Sequence, residues 1–336
     1  MINGETSGRT RRIQNFFLSY GFVFIMLLVI IIYSFIAPNF LSLANFMAIL
    51  QTATPLLIVA SGVCMVVMAG RIDISIGSIA FLSCSVASML IIKLHFPILV
   101  SILILLASGA VLGSINGFIV VFLRVSPLIT TLGTLIAFRG VALQISNSQT
   151  IGLPQILRVF GRTRIGPVFV TILIAAAALV IMHIFHTRTS TGRDITALGN
   201  GEEVASRLGV RVKRVSFLTF VISGIMGAIG GFVLMCQVGS LSPGIGNGME
   251  FTAIAAIVIG GISLFGGEGS IIPGIILGGC TLAIIEDGLN LLSASSYAYP
   301  FVRGAIIFIA MYADSLKFYV RSRRITSEAS EEAASR

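Results

Sequence analysis

Long apolar runs recur along almost the whole chain, separated by short polar segments. A helix crossing a bilayer needs about 20 mostly apolar residues, because its backbone groups have no water to bond and must pair within the segment. Ten stretches fit that rule: 19–37, 46–69, 74–93, 96–123, 126–146, 167–186, 215–238, 250–265, 271–294 and 299–317. The pattern therefore predicts an all-α membrane protein of about ten transmembrane helices. A polar tail at 1–18 and another at 318–336 flank a transmembrane domain at 19–317. The first apolar run is long and lacks a small-residue cleavage site, so it reads as an uncleaved span.

Composition agrees with lipid as the main solvent. Of 336 residues, 56% are hydrophobic and only 10% charged, far from the balance of a water-soluble domain. The formal charge of +9 suggests no nucleic-acid partner, because the basic residues sit between apolar runs rather than on a polar domain. They carry orientation instead. With the N-terminus inside, the cytoplasmic segments hold sixteen: Arg9, Arg11, Arg12, Arg71, Arg124, Arg188, Arg193, Arg207, Arg211, Lys213, Arg214, Lys317, Arg321, Arg323, Arg324 and Arg336. The opposite face holds four, Lys93, Arg158, Arg162 and Arg164. Both termini are expected in the cytoplasm.

The weakest span is 250–265, followed by the glycine-rich "IGGISLFGGEGSIIPGI". A broken or re-entrant helix near 259–273 is one reading, since irregular backbone at membrane depth must line a cavity or be buried by protein. Close helix packing on glycine is the other.

No catalytic set emerges. The phosphate-cradling pattern GxxxxGK[ST] is absent; "SPGIGNGME" is glycine-rich without the lysine and reads as an outer surface turn. His183 and His186 lie one turn apart with no carboxylate or cysteine beside them, so they read as interfacial polar residues and no metal site is expected. Cys64, Cys84, Cys236 and Cys280 each fall in an apolar run and read as small core residues.

Charge inside a span is costly and usually faces a cavity or a partner. Arg139, Glu250, Glu286, Asp287, Arg303 and Asp314 qualify. Glu286 and Asp287 are adjacent, hence about 100° apart on a helix and unable to share one partner. They raise the hypothesis of a proton or cation path. Among uncharged residues, Gln51, Thr52, Thr54, Thr130, Thr131 and Thr134 are pathway candidates, although threonine hydroxyls commonly bond back to helix carbonyls.

The longest polar segment between spans is residues 187–214. Asn200 is expected to cap a short helix from Glu202 to Leu208, with Glu202 and Glu203 favoured in its first turn and Gly209 ending it. Val204 and Leu208, four apart, would present an apolar strip. Docking to a partner protein and lying on the membrane surface are the two readings of that strip.

This loop, "TGRDITALGNGEEVASRLGVRVKRV", resembles the corresponding loop of permease subunits of ribose-type ATP-binding-cassette (ABC) importers. So do "RIDISIGSIA", "SPLITTLGTLIAFRG", "GMEFTAIAAIVIGGISLFGGEGSIIPGIILGG" and "EDGLNLL", in that order, over about residues 20–316. The resemblance implies a permease for a monosaccharide or similar small polar solute in the bacterial cytoplasmic (inner) membrane. Such a permease is expected to bind no cofactor of its own, with ATP and Mg on a partner cytoplasmic ATPase. A second copy or a related permease would complete a homo- or heterodimer, and an extracytoplasmic sugar-binding protein would deliver the solute. The coupling helix falls at Glu202–Gly209, within a set comprising Gly199, Asn200, Glu202, Glu203, Val204, Ala205, Leu208 and Gly209. Asn290 matches the family and joins the pathway candidates. Two positions depart: Arg71 stands where glycine is common, and Asp287 where asparagine is frequent. Asp73, which matches, is expected to cap a helix start or pair with Arg71.

A stand-alone ion-coupled secondary transporter is the alternative, raised by the broken segments and the intramembrane carboxylates. A membrane enzyme acting on lipid-linked substrates is a third class, for which no catalytic set is assembled.

Overall fold

The computed structural model describes residues 23–24, 26–295, 297–309, 311, 312 and 315. The expected tails, 1–18 and 318–336, and Asp314 lie outside the described residues. In chain order the helices are α1 (Met26–Ile36), α2 (Leu43–Met68), α3 (Ile76–Ile92), α4 (Ile98–Val121), α5 (Pro127–Ser146), α6 (Gln155–Phe160), α7 (Val170–Arg188), α8 (Ser190–Asn200), α9 (Glu202–Arg207), α10 (Val212–Val238), α11 (Met249–Ile259), α12 (Ile271–Leu291) and α13 (Ala298–Ile309). Among the described residues, sheet is confined to two-residue antiparallel pairings of β1 (Ile151–Gly152) with β4 (Ser240–Leu241) and of β2 (Arg164–Ile165) with β3 (Val168–Phe169). The chain is an all-α membrane protein.

Among the described residues, six helices, α2, α4, α5, α7, α10 and α12, are long and apolar enough to cross a membrane. The other apolar helices, α1, α3, α11 and α13, are shorter. At 1.5 Å per residue the 17 residues of α3 reach about 26 Å and the 11 of α11 about 16 Å. Both fall short of the ~30 Å hydrocarbon core, so non-helical backbone adjoining them enters the bundle. Ahead of α3 that segment is 69–75; ahead of α11 it is 242–248; after α11 it is 260–270, where Gly261, Gly266, Gly267 and Gly269 all take positive φ.

The turn at 242–248 does not lie on the surface as its composition suggests. Ile245 is buried, and a β-carbon on Gly77 would strike the Gly246 carbonyl. Glycine on both sides lets one backbone rest on the other.

α10 organises the bundle. Gly224 abuts Gly109 and Gly113 of α4, Gly227 meets Ile76 and Gly231 meets Ala80 of α3, and Gly230 meets Val59 of α2. On α4 the facing residues, Gly109, Gly113 and Gly117, recur every four positions and so share one face. Apolar burial adds no drive between helices in lipid; close van der Waals approach does, and small residues permit it. The outward faces stay apolar, with Leu99, Ile129, Ile136, Ile181 and Phe308 exposed. Cys64, Cys84 and Cys236 are buried, Cys280 is partly so, and all four are free thiols.

Residues 187–214 hold more structure than the single short helix expected. α7 runs on to Arg188, and Thr189 then caps α8 by accepting from the Gly192 amide at 3.1 Å. His186 Nε2 lies 3.0 Å from Thr196 Oγ1, tying α7 to α8. A polar, glycine-bearing segment gives little helical signal, which explains the miss.

These contacts set a stability test. A leucine at Gly113 would be driven into the Phe220 carbonyl and the backbone of Val221, whereas a β-carbon on Gly133 meets nothing within 4 Å. Overpacking costs roughly 1–3 kcal/mol or more. Gly113→Leu is therefore expected to lower the thermal midpoint of the detergent-purified protein by several degrees, and Gly133→Leu to leave it within about a degree.

Candidate functional site

Three segments converge at the end of the bundle that carries α8 and α9. α2 ends in a Schellman motif, with Gly70 at φ 72°, the Gly70 amide donating to the Val67 carbonyl and the Arg71 amide to that of Val66. The amide of Gly267 donates to the Met68 carbonyl at 3.0 Å. Gly199 is wedged between them: a β-carbon there would collide with Met68 O and the Gly267 backbone. Gly266 in turn lies against the Cα atoms of Gly199 and Gly70. The end of α8, the end of α2 and the α11–α12 connection thus touch backbone to backbone.

Asn200 does not cap α9. It is the last residue of α8, with its Oδ1 against Gly267, and the position before α9 is Gly201 at φ 156°, ψ 114°. α9 ends at Arg207, one residue sooner than expected, with Leu208 as its C-cap. Gly209 follows at φ 85°, its amide donating to Ser206 O and that of Val210 to Ala205 O, a second Schellman motif. Ala205 is buried and anchors α9, while Val204 and Leu208 are 61% and 76% exposed. Glu203 pairs with Arg207 at 2.6 Å on the exposed surface. Glu202 reaches back to Arg71 at 3.2 Å, and Arg71 Nε donates to Ser216 Oγ on α10.

From that junction the chain climbs into the bundle. Asp73 is fully buried; its Oδ1 accepts from the amide and hydroxyl of Ser75 at 3.0 and 2.7 Å, and its Oδ2 from Ser223 Oγ at 2.9 Å. Asn116 Nδ2 on α4 donates to Ser75 Oγ at 2.7 Å. Asp73 therefore closes the turn before α3, while Arg71 is engaged by Glu202 and Ser216 instead. Ser223 stands 11 positions beyond Val212, about 16 Å along α10, which places this network well inside the bundle.

A cavity of about 220 Å³ opens on the half remote from α9. Thr52 and Pro55 of α2, Ala283 and Glu286 of α12, Arg303 of α13, and Gly246 and Asn247 of the inward turn line it. Thr52 lies 16 positions before Met68, about 24 Å along α2. Glu286 is ion-paired with Arg303. Arg139 from α5 holds the turn from the other side, donating to Pro243 O at 3.1 Å and Ile245 O at 3.3 Å, with its guanidinium 5.4 Å from the Phe81 ring centre.

Of the pathway candidates, only Thr52 lines this cavity. Gln51 and Thr54 lie in a polar cluster: Gln51 Nε2 donates to Gly161 O, and Gln237 Nε2 donates to Gln51 O and to Thr54 Oγ1. Thr131 and Thr134 donate to carbonyls of their own helix, and the buried Thr130 hydroxyl has no partner among the described residues. Asn290 Oδ1 accepts from Tyr299 at 3.1 Å. Asp287 accepts from Asn45 at 2.8 Å, away from the Glu286–Arg303 pair, as adjacency on a helix requires.

The sequence reading missed the Arg71–Glu202 link, the Ser75–Asn116–Ser223 set around Asp73 and the docking of Gly266 and Gly267 on α8. Their only signal was the unusual density of glycine and small hydroxyl residues in otherwise apolar runs.

This arrangement is that of a membrane permease: a helical bundle with an inward-reaching turn, a cavity carrying a few polar groups on its wall and an exposed helix at one end. The family model described as "Branched-chain amino acid transport system / permease component" matches residues 45–311, and the chain belongs to that family. It is 33% identical over 327 residues to the ribose import permease protein RbsC of Escherichia coli, covering 94% of this chain and 100% of that one. It is 34% identical over 287 residues to the autoinducer 2 import system permease protein LsrC of Photorhabdus laumondii, covering 84% of each. It is 34% identical over 300 residues to the probable ABC transporter permease protein YphD of Escherichia coli, covering 88% and 89%. The chain is thus a permease subunit of an ABC importer and not an enzyme; the ATPase is a separate subunit.

Removing the Asp73 carboxylate would leave three buried donors unpaired, each costing roughly 1–3 kcal/mol. Asp73→Ala should lower the thermal midpoint of the purified protein strongly and Asp73→Asn, which keeps an acceptor, by less. Glu203→Ala, at an exposed pair with a typical worth of about 0–1 kcal/mol, should scarcely move it.

Proposed function

We propose that this permease imports a monosaccharide or a similarly sized polar solute across the bacterial cytoplasmic membrane. Two readings of its family point to different cargoes, since the family description names branched-chain amino acids and the relatives above name ribose and autoinducer 2. The extent of the match to RbsC, along the full length of that protein, and a cavity with hydroxyl, amide and paired-charge groups on its wall favour a hydroxylated solute. The apolar run lengths support ten spans, with α1, α3, α11 and α13 completed by adjoining backbone, and the basic-residue bias supports both termini in the cytoplasm. The partners are a cytoplasmic ATPase, which binds ATP and Mg, an extracytoplasmic sugar-binding protein, and a second permease that is either another copy or a related chain.

The observation that carries the coupling half of this reading is α9. Its inner face is fixed by Ala205 and its outer face shows Val204 and Leu208, an apolar anchor of the kind that fills a partner's groove. Behind it, Gly199 and Asn200 bear directly on α2 and on the Gly266–Gly267 turn. ATP binding would close the ATPase pair, displace α8 and α9, and thereby shift α2, α11 and α12 together.

Val204→Asp/Leu208→Asp is expected to abolish co-purification of the ATPase and to cut monosaccharide uptake at least ten-fold, while the purified permease keeps its thermal midpoint. Persistence of both association and uptake would move the coupling site elsewhere.

A further inference from the structure

The cavity wall carries charge in a particular balance. Glu286 and Arg303 are ion-paired on it, each about one-third exposed, and the Arg303 Nε–H finds no acceptor among the described residues. Just behind the wall, Glu250 is buried at the start of α11, and Arg139 holds the turn from its far side. Two acids and two bases therefore surround the inward turn, and Asp287 is taken up by Asn45 on another side of α12. Three further polar residues line the cavity: Thr52 and Asn247 are exposed, while Thr252 is buried and its hydroxyl donates to Gly248 O at 2.9 Å. At ~30 Å³ per water, 220 Å³ holds about seven waters, below the ~300–1,000 Å³ of typical sites for drug-sized ligands.

We propose that this cavity is a charge-balanced transit site for a neutral polyhydroxylated solute, with the Glu286–Arg303 pair as its polar anchor. The solute class rests on the monosaccharide reading above; the site and its balance rest on the geometry. A carboxylate and a guanidinium side by side offer acceptors and donors to the vicinal hydroxyls of a polyol, yet give the wall no net charge. An anion or a cation would have to break the pair to be bound. The hydroxyl and amide of Thr52 and Asn247 extend the same donor and acceptor chemistry. Glu286 is in this arrangement a pairing partner of Arg303 and not a proton carrier.

The balance can be read without knowing the solute. Thr52→Cys is placed in a Cys280→Ser background within the assembled importer. It is then treated from either membrane face with methanethiosulfonate reagents of opposite charge, the trimethylammonioethyl cation and the sulfonatoethyl anion. Thr52→Cys should react with both, at least ten-fold faster than Thr281→Cys, a position that is 1% exposed. Adding Glu286→Gln should shift the rate ratio about ten-fold towards the anion, Arg303→Gln should shift it towards the cation, and the double substitution should restore it. A structural role for the pair would not move this ratio in opposite directions. Slow labelling of Thr52→Cys, or a ratio indifferent to both single substitutions, would overturn the proposal. Separately, if D-ribose, D-xylose and D-glucose were all refused by the intact importer while the labelling pattern held, the monosaccharide reading would fail and the charge-balanced cavity would stand.

Discussion

A carboxylate buried in the bundle lets the chain interrupt its helices. Lipid offers no hydrogen bonds, so peptide groups outside a helix must be satisfied by protein. Between α2 and α3 that condition falls on Asp73, whose two oxygens take three donors from Ser75 and Ser223 while Asn116 secures Ser75 in turn. Because this turn is held inside, α3 can begin deep in the bundle, its first residues can meet α10, and Gly77 can receive the turn at 242–248 from the opposite side. That turn then forms part of the cavity wall. The route from a short buried loop to the cavity thus runs through the side-chain bonds of Asp73 and then through the backbone contact of Gly77 with Gly246.

The same economy of side chains recurs at the α8–α9 end. Gly70, Gly199, Gly266 and Gly267 come from three separate parts of the sequence, and each would be blocked or strained by a β-carbon. Polar residues reinforce the junction from its rim: Glu202 holds Arg71, and Arg71 holds Ser216 of α10. The exposed apolar residues of α9 are thereby mounted on the segments that shape the cavity.

Much of this was legible in the sequence. Run length located the apolar helices because a bilayer sets a minimum crossing length, which α2, α4, α5, α7, α10 and α12 meet and the shorter α1, α3, α11 and α13 do not, and the glycines of 259–273 announced a real interruption, now placed at 260–270. The likeness of 187–214 to a permease loop gave the family. Other features were not legible for physical reasons. α8 mixes glycine, threonine and charge, so propensity is silent and tertiary contact with α7 and α2 decides. Asn200 has the composition of a cap, but its position one residue too early puts it at the end of another helix. The turn at 242–248 looks like any exposed loop until its partner, Gly77, is known. Gln51 and Thr54 sit on the right helix for the pathway, yet a rotation of about 100° per residue leaves Thr52 on the cavity and turns its neighbours towards Gln237.

Side chains are springs: a push delivered to a leucine can be absorbed by a change of rotamer before it reaches the next helix. At Gly199 there is no such slack, because the end of α8 rests on the Met68 carbonyl and the Gly267 backbone with no side chain between them. Under the coupling proposed above, the junction would act as a rigid bearing in a linkage, and displacement applied at α9 would reach α2 and the α11–α12 turn with no side chain to absorb it.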